Sequence, residues 1–80
     1  MRLDKYLKVS RIIKRRTVAN EVCDAQRVSV NGKVARASYD VKVGDVIEIA
    51  IGANTTKIQV EKVSEFATKE DAPTMYKVLV

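Results

Sequence analysis

Histidine is absent from this 80-residue chain, and that gap removes whole classes of chemistry. Without imidazole there is no His general base, no His-dependent triad and no His-ligated metal. The single cysteine, Cys23, cannot close an internal disulfide and cannot by itself form a zinc site. An unpaired thiol fits a reducing compartment. Tryptophan is missing, and three tyrosines and one phenylalanine are the whole aromatic complement. No row of rings resembles a stacking platform for single-stranded nucleic acid. No apolar run reaches the roughly 18 residues a transmembrane helix needs. Charge begins at Arg2, unlike a signal peptide, so the expected location is cytoplasmic and away from membranes. A chain of this size buries only about 60% of its unfolded surface, which leaves little room for a substrate pocket. These absences point away from an enzyme and toward a small binding domain, with no cofactor and no metal expected.

What is abundant is positive charge, unevenly placed. The first sixteen residues carry seven cations (Arg2, Lys5, Lys8, Arg11, Lys14, Arg15 and Arg16) against Asp4 alone. Residues 1–42 have a net charge of +7 and residues 43–80 a net charge of −2. One end of a small domain is therefore strongly cationic, as a surface built to meet a polyanion is. The apolar fraction, 46%, is that of a folded protein, so the charge does not imply disorder.

Hydrophobic spacing gives the elements. Residues 2–9 read as a short helix. On a helical wheel Leu3 and Leu7 fall within about 40° of each other, with Lys5 opposite and Arg2 and Lys8 on its side. Tyr6 lies beside the leucine stripe. Ile12 and Ile13 follow as anchors. Thr17 is the expected N-cap of a second helix, whose core stripe is Val18, Val22 and Ala25, with Ala19 and Cys23 beside it. Cys23 reads as a small buried core residue. With Thr17 as cap, Lys14, Arg15 and Arg16 stand at a helix N-terminus, where backbone N–H groups and guanidinium groups can converge on phosphate.

From Arg27 the period becomes alternating. Val28–Val30, Asn31-Gly32 and Lys33-Val34 spell strand, tight turn and strand, Asn-Gly being the strongest short hairpin signal. Residues 46–51 form a strand with Ile47, Ile49 and Ile51 on one face, and Gly52 to Thr55 a turn. Ile58, Val60 and Val63 line another strand, residues 68–74 are an irregular connector, and 76–80 a last strand. The order of helix, helix and strands predicts an α+β domain, two N-terminal helices packed on a small antiparallel sheet. It occupies residues 1–80 as one domain, with its core motif over about 2–51 and its C-terminal strands over 57–80.

Arg2-Leu3-Asp4-Lys5-Tyr6-Leu7, then Arg15-Arg16, then Arg27 through Val34, then Val43-Gly44-Asp45-Val46-Ile47 resemble the S4 RNA-binding domain. Within that family the chain is similar to small stand-alone members, the heat-shock S4 and ribosome quality-control proteins, through Val9-Ser10-Arg11, Lys14 to Thr17 and Met75-Tyr76 as well. The resemblance implies binding to rRNA of large ribosomal subunits obstructed by peptidyl-tRNA. It also implies steadying of the P-site tRNA while the elongation factor RqcH adds alanines to the stalled chain; the expected state is a monomer. The RNA-facing residues are then expected to be Arg2, Lys5, Lys8, Arg11, Lys14, Arg15 and Arg16, extended around the hairpin by Arg27, Lys33 and Arg36. Arg15 and Arg16 lead, because guanidinium forks phosphate bidentately and stacks on bases. Asp4 is expected to cap or to orient a neighbouring arginine. Lys42, Lys57, Lys62, Lys69 and Lys77 read as solvated surface, and Tyr39 as a loop residue within reach of RNA. Three other readings stay open: an RNA-binding module separated from an RNA-modifying enzyme or synthetase, a general ribosome-assembly factor, or a regulator that binds an acidic protein.

Overall fold

The structure, a computed structural model, describes residues 1–79. Helix α1 runs Leu3–Val9 and buries Leu3, Tyr6 and Leu7, the face the leucine spacing predicts. Arg2 stands just outside the helix in extended conformation and bridges to Asp40. Backbone bonds from Leu3 to Tyr39 (2.8 Å), Asp4 to Ala37 (3.2 Å) and Val41 to Met1 (2.8 Å) stitch residues 37–41 across the start of α1. Two of them satisfy N–H groups that a helix start leaves unpaired.

Helix α2 runs Arg16–Asp24. Thr17 is not its cap, contrary to the sequence expectation. Arg15 takes the N-cap position, no side chain caps the helix, and the first turn closes from Ala19 N–H to Arg15 C=O at 3.0 Å. The helix start is fixed by tertiary contacts of Arg16 and Asn20 with Asp4 on α1, which override local cap preference. The buried stripe also differs. It is Ala19 and Cys23, while Val18 is 37% exposed and Ala25 lies past the helix end. Small side chains on the facing stripe let α2 lie close to α1, so the larger valine turns outward. Cys23 is buried as expected. Burial, with the nearby carboxylates of Asp4 and Asp24, pushes its thiol up to about 11.

Five strands follow: β1 Val28–Val30, β2 Lys33–Val34, β3 Val46–Ile51, β4 Asn54–Val60 and β5 Tyr76–Val78. They form one antiparallel sheet in the order β2-β1-β3-β4-β5. Register pairs Val28 with Ile49, and Ile47 with both Val30 and Ile58. These residues, with Val60, are the buried positions of their strands, and the helices' apolar residues join them in one core. The α+β arrangement expected from the sequence is the one observed.

The β1–β2 turn carries Asn31 at φ 53° and Gly32 at φ 83°, the conformation the Asn-Gly pair favours. The turn after β3 is shorter than expected. Ile51 pairs with Asn54, leaving only Gly52 and Ala53 outside the ladder, with Gly52 at φ 60°. Strand β4 therefore begins at Asn54, not at 57. Ile51, at the projecting end of this hairpin, is exposed rather than core. The connector is also less irregular than its composition suggests. Val63 lies beyond β4 but still packs on the core. Ala72–Met75 form a 3-10 turn whose Ala72 and Met75 are buried. The Tyr6 hydroxyl donates to the Met75 carbonyl at 2.8 Å, tying α1 to the end of the connector. The last strand ends at Val78; Val80, which the sequence assigned to it, lies outside the described residues.

Candidate nucleic-acid interface

Asp4 organises the cationic end of the domain. Its side chain is 3% exposed, so its charge must be compensated within the fold. Oδ1 accepts from Arg2 Nε at 3.1 Å and from the Lys5 backbone N–H at 2.8 Å. Oδ2 accepts from Arg2 Nη2 at 3.4 Å and from Asn20 Nδ2 at 3.3 Å, and lies 3.5 Å from Arg16 Nε. Burial pushes the carboxyl pKa up. The bonds from Arg2, Asn20 and Lys5, with the Arg16 charge, outweigh burial and hold it below its ordinary value. The expectation that Asp4 orients a neighbouring arginine is met twice over. Arg2, from before α1, and Arg16, from the first residue of α2, share one carboxylate, and each stays half exposed.

Arg15 is exposed beside them at the N-cap position of α2. The uncapped helix start, the macrodipole and the free faces of three guanidinium groups all present positive potential at one place. Arg36 belongs to the same neighbourhood by topology, because it precedes Ala37, whose carbonyl receives the Asp4 N–H.

The other candidates divide. Lys5 is half-buried, with its ammonium 3.5 Å from Glu65. Glu65, from the segment after β4, partly covers Lys5, while Arg2 and Lys8 on the same side of the helix stay open. Lys8, Arg11 and Lys14 are exposed and line one groove together with residues 65–69. Lys33 lies on edge strand β2 and borders a second depression with Arg36 and Tyr39. Arg27 stands apart. It follows the far end of α2, a helix of nine residues and so about 13 Å long, and the fold does not bring it to Arg2 and Arg16. Among the described residues, only Met1, Arg2, Lys5 and Arg16 carry a cationic group within 4 Å of a carboxylate. The other cations remain available to an external anion.

Three features escaped the sequence reading. Asn20 donates to Asp4, and its spacing of four from Arg16 on a helix was the available signal. Asn31 does more than turn the chain. Its Oδ1 accepts from the Val46 N–H at 2.9 Å and its Nδ2 donates to Asp45 at 3.1 Å. Asp45 also accepts from the Tyr39 hydroxyl at 3.0 Å and from the Lys42 N–H at 3.0 Å, so Tyr39 braces a loop. The third feature is Phe66, 89% exposed, the lone ring in an otherwise polar stretch.

A half-exposed arginine pair braced on a buried carboxylate, at an uncapped helix start on a small α+β fold, gives the domain one strongly basic, solvent-facing end. Comparison with known proteins gives the particular group. Residues 1–47 match the S4 domain. The chain is 51% identical over 79 residues to the RQC P-site tRNA stabilizing factor of Bacillus subtilis, covering 99% of this chain and 92% of that protein. It is 53% identical over 79 residues to the protein of the same name from Streptococcus pneumoniae, covering 99% and 90%. Among solved structures it superposes on trimeric Heat Shock Protein 15 of Vibrio cholerae with a TM-score of 0.91 at 30% identity, over 99% of this chain and 81% of that one. The chain belongs to the S4 domain family, in the group of its RQC P-site tRNA stabilizing factors.

Proposed function

We propose that this protein is an RNA-binding factor of ribosome-associated quality control. It binds large ribosomal subunits obstructed by peptidyl-tRNA, contacts rRNA and tRNA, and holds the P-site tRNA while RqcH extends the stalled chain with alanine. Its role is to bind and position, not to catalyse; it works in the cytoplasm as a monomer and as one domain over residues 1–80. The observation that carries the reading is the near-complete match, at about half identity, to proteins named for stabilising P-site tRNA. The Asp4-centred arginine pair supplies the chemistry. Guanidinium groups fixed in direction lose less entropy on meeting phosphate than free ones. The contact surface is Arg2, Arg15 and Arg16 with Arg36, extended by Lys8, Arg11 and Lys14. Lys5, Lys33 and Arg27 contribute at its margins.

The test is sedimentation of the tagged protein from cells with stalled translation. It is expected with large subunits, enriched on those that retain peptidyl-tRNA. Equal recovery with small subunits would overturn the reading.

A further inference from the structure

One groove is not explained by the arginine pair. It encloses about 660 Å³ between the turn that follows α1 and the segment 65–71. Lys8, Arg11 and Lys14 form one wall and Lys69 stands on the other. None of these four has a carboxylate within 4 Å among the described residues. Two acids also line the groove, Glu65 and Asp71, and Glu65 is engaged by Lys5 at 3.5 Å. The remaining charge is positive.

Phe66 lies in the same lining and is 89% exposed. The segment that carries it is braced. Ser64 Oγ donates to the Phe66 carbonyl at 2.8 Å. Thr68 accepts backbone bonds from Asp71 and Ala72 at 3.1 and 3.0 Å, and Ala67 packs against the core. The chain thus anchors Ala67 inward and holds its only phenylalanine in the open. Arg11, opposite, takes φ 63°, a backbone conformation that arginine rarely adopts. An exposed ring beside unpaired cations matches the two parts of a nucleotide, a π-face and a phosphate. A protein partner seeking an anchor pocket meets instead a single ring ringed by charge, unlike the desolvated centre of a protein interface.

We propose that this groove takes one unpaired nucleotide of an RNA, its base stacked on Phe66 and its phosphates against Lys8, Arg11 and Lys14. The inference rests on the RNA-binding reading and adds to it a second contact, independent of Asp4.

Tryptophan is absent from the chain, so Phe66→Trp places a single tryptophan reporter in the groove, excited at wavelengths the tyrosines do not absorb. Two RNA hairpins serve as probes, identical except for one unpaired purine bulged from the stem. The bulged hairpin is expected to quench the reporter and to bind the unsubstituted protein about five- to a hundredfold more tightly than the paired one, the range of one base–aromatic stack. Phe66→Ala is expected to erase that difference, and Arg16→Ala to weaken both RNAs alike. If Phe66→Ala leaves both affinities unchanged while Arg16→Ala lowers them, the nucleotide site is wrong and the RNA-binding reading stands. Failure of the unsubstituted protein to bind either RNA overturns both. Loss of ribosome association by Phe66→Ala, with affinity for both hairpins intact, assigns the ring to a protein contact and overturns the proposal. Phe66 lies outside the core, so an unchanged melting temperature is the folding control.

Discussion

Nε of Arg16 lies 3.5 Å from Oδ2 of Asp4, joining the first residue of α2 to the first turn of α1. Arg2 holds the other side of the same carboxylate. Asp4 is thus at once a strut between two helices and an aiming device for two guanidinium groups. Asp4→Asn keeps the shape and removes the charge. It is expected to cost about 1.5–3 kcal/mol of stability, the scale of hydrogen bonds to a charged group, and to lower RNA affinity about tenfold as the arginines lose their fixed direction. Thermal melting and RNA titration of the same variant read both effects. Unchanged affinity would show that the arginines need no brace.

The same carboxylate sets an acid limit. Because its pKa in the fold is held below the ordinary 3.8, its contribution to stability is fully present above that value. The contribution is lost as pH falls through the lower folded value. Melting temperature is therefore expected to decline below about pH 4, and Asp4→Asn to flatten part of that decline. The exposed Asp40, lowered chiefly by its hydrogen bond from the N-terminal amine, adds a share of the same sign that Asp4→Asn leaves in place. Parallel pH–melting curves that differ only by a constant offset would refute the assignment to Asp4.

Arg16→Ala is expected to weaken ribosome association about ten- to a hundredfold, by loss of a charged hydrogen bond to phosphate. Lys57→Ala and Lys77→Ala are expected to change it little. Those lysines lie on β4 and β5, in the half of the chain with net charge −2. Arg2→Ala should resemble Arg16→Ala, since both arginines share Asp4. Equal damage from Lys57→Ala at unchanged melting temperature removes the N-terminal surface from consideration.

Asn31 separates backbone strain from side-chain bonding. Asn31→Gly keeps φ 53° accessible and loses the bonds to Val46 and Asp45, an expected cost of about 1–2 kcal/mol. Asn31→Ala adds the strain of a left-handed alanine, about 1 kcal/mol more. Denaturant unfolding of the pair measures the gap, and equal stabilities would place the whole effect in the side chain.

Cys23 provides a probe of opening. With its thiol raised from 9.0 to about 11, the thiolate fraction near pH 8 falls about a hundredfold. Burial slows reagents further. A disulfide-exchange reagent is expected to label the native protein far more slowly than the denatured chain, at a rate set by unfolding. Fast labelling of the native state would show that the α1–α2 contact opens locally.

Much of this protein is legible in its residues because the signals are local. Leu3 and Leu7 declare a helix face, Asn31-Gly32 a turn, alternating valines and isoleucines the strands, and the run of cations before Thr17 a strongly basic end. Motif resemblance carried the family. What the sequence left undecided depends on residues distant in the chain. The start of α2 and its buried stripe follow from docking on Asp4, not from Thr17 or the valines. Lys5 meets Glu65, sixty residues away in the chain, and Arg27 follows the end of α2 opposite to Arg16. The groove beside Phe66 exists only because segment 65–71 returns alongside the turn after α1. Local periodicity specifies which face of an element is apolar. Only packing decides which charges then converge, because convergence is a property of distances between elements.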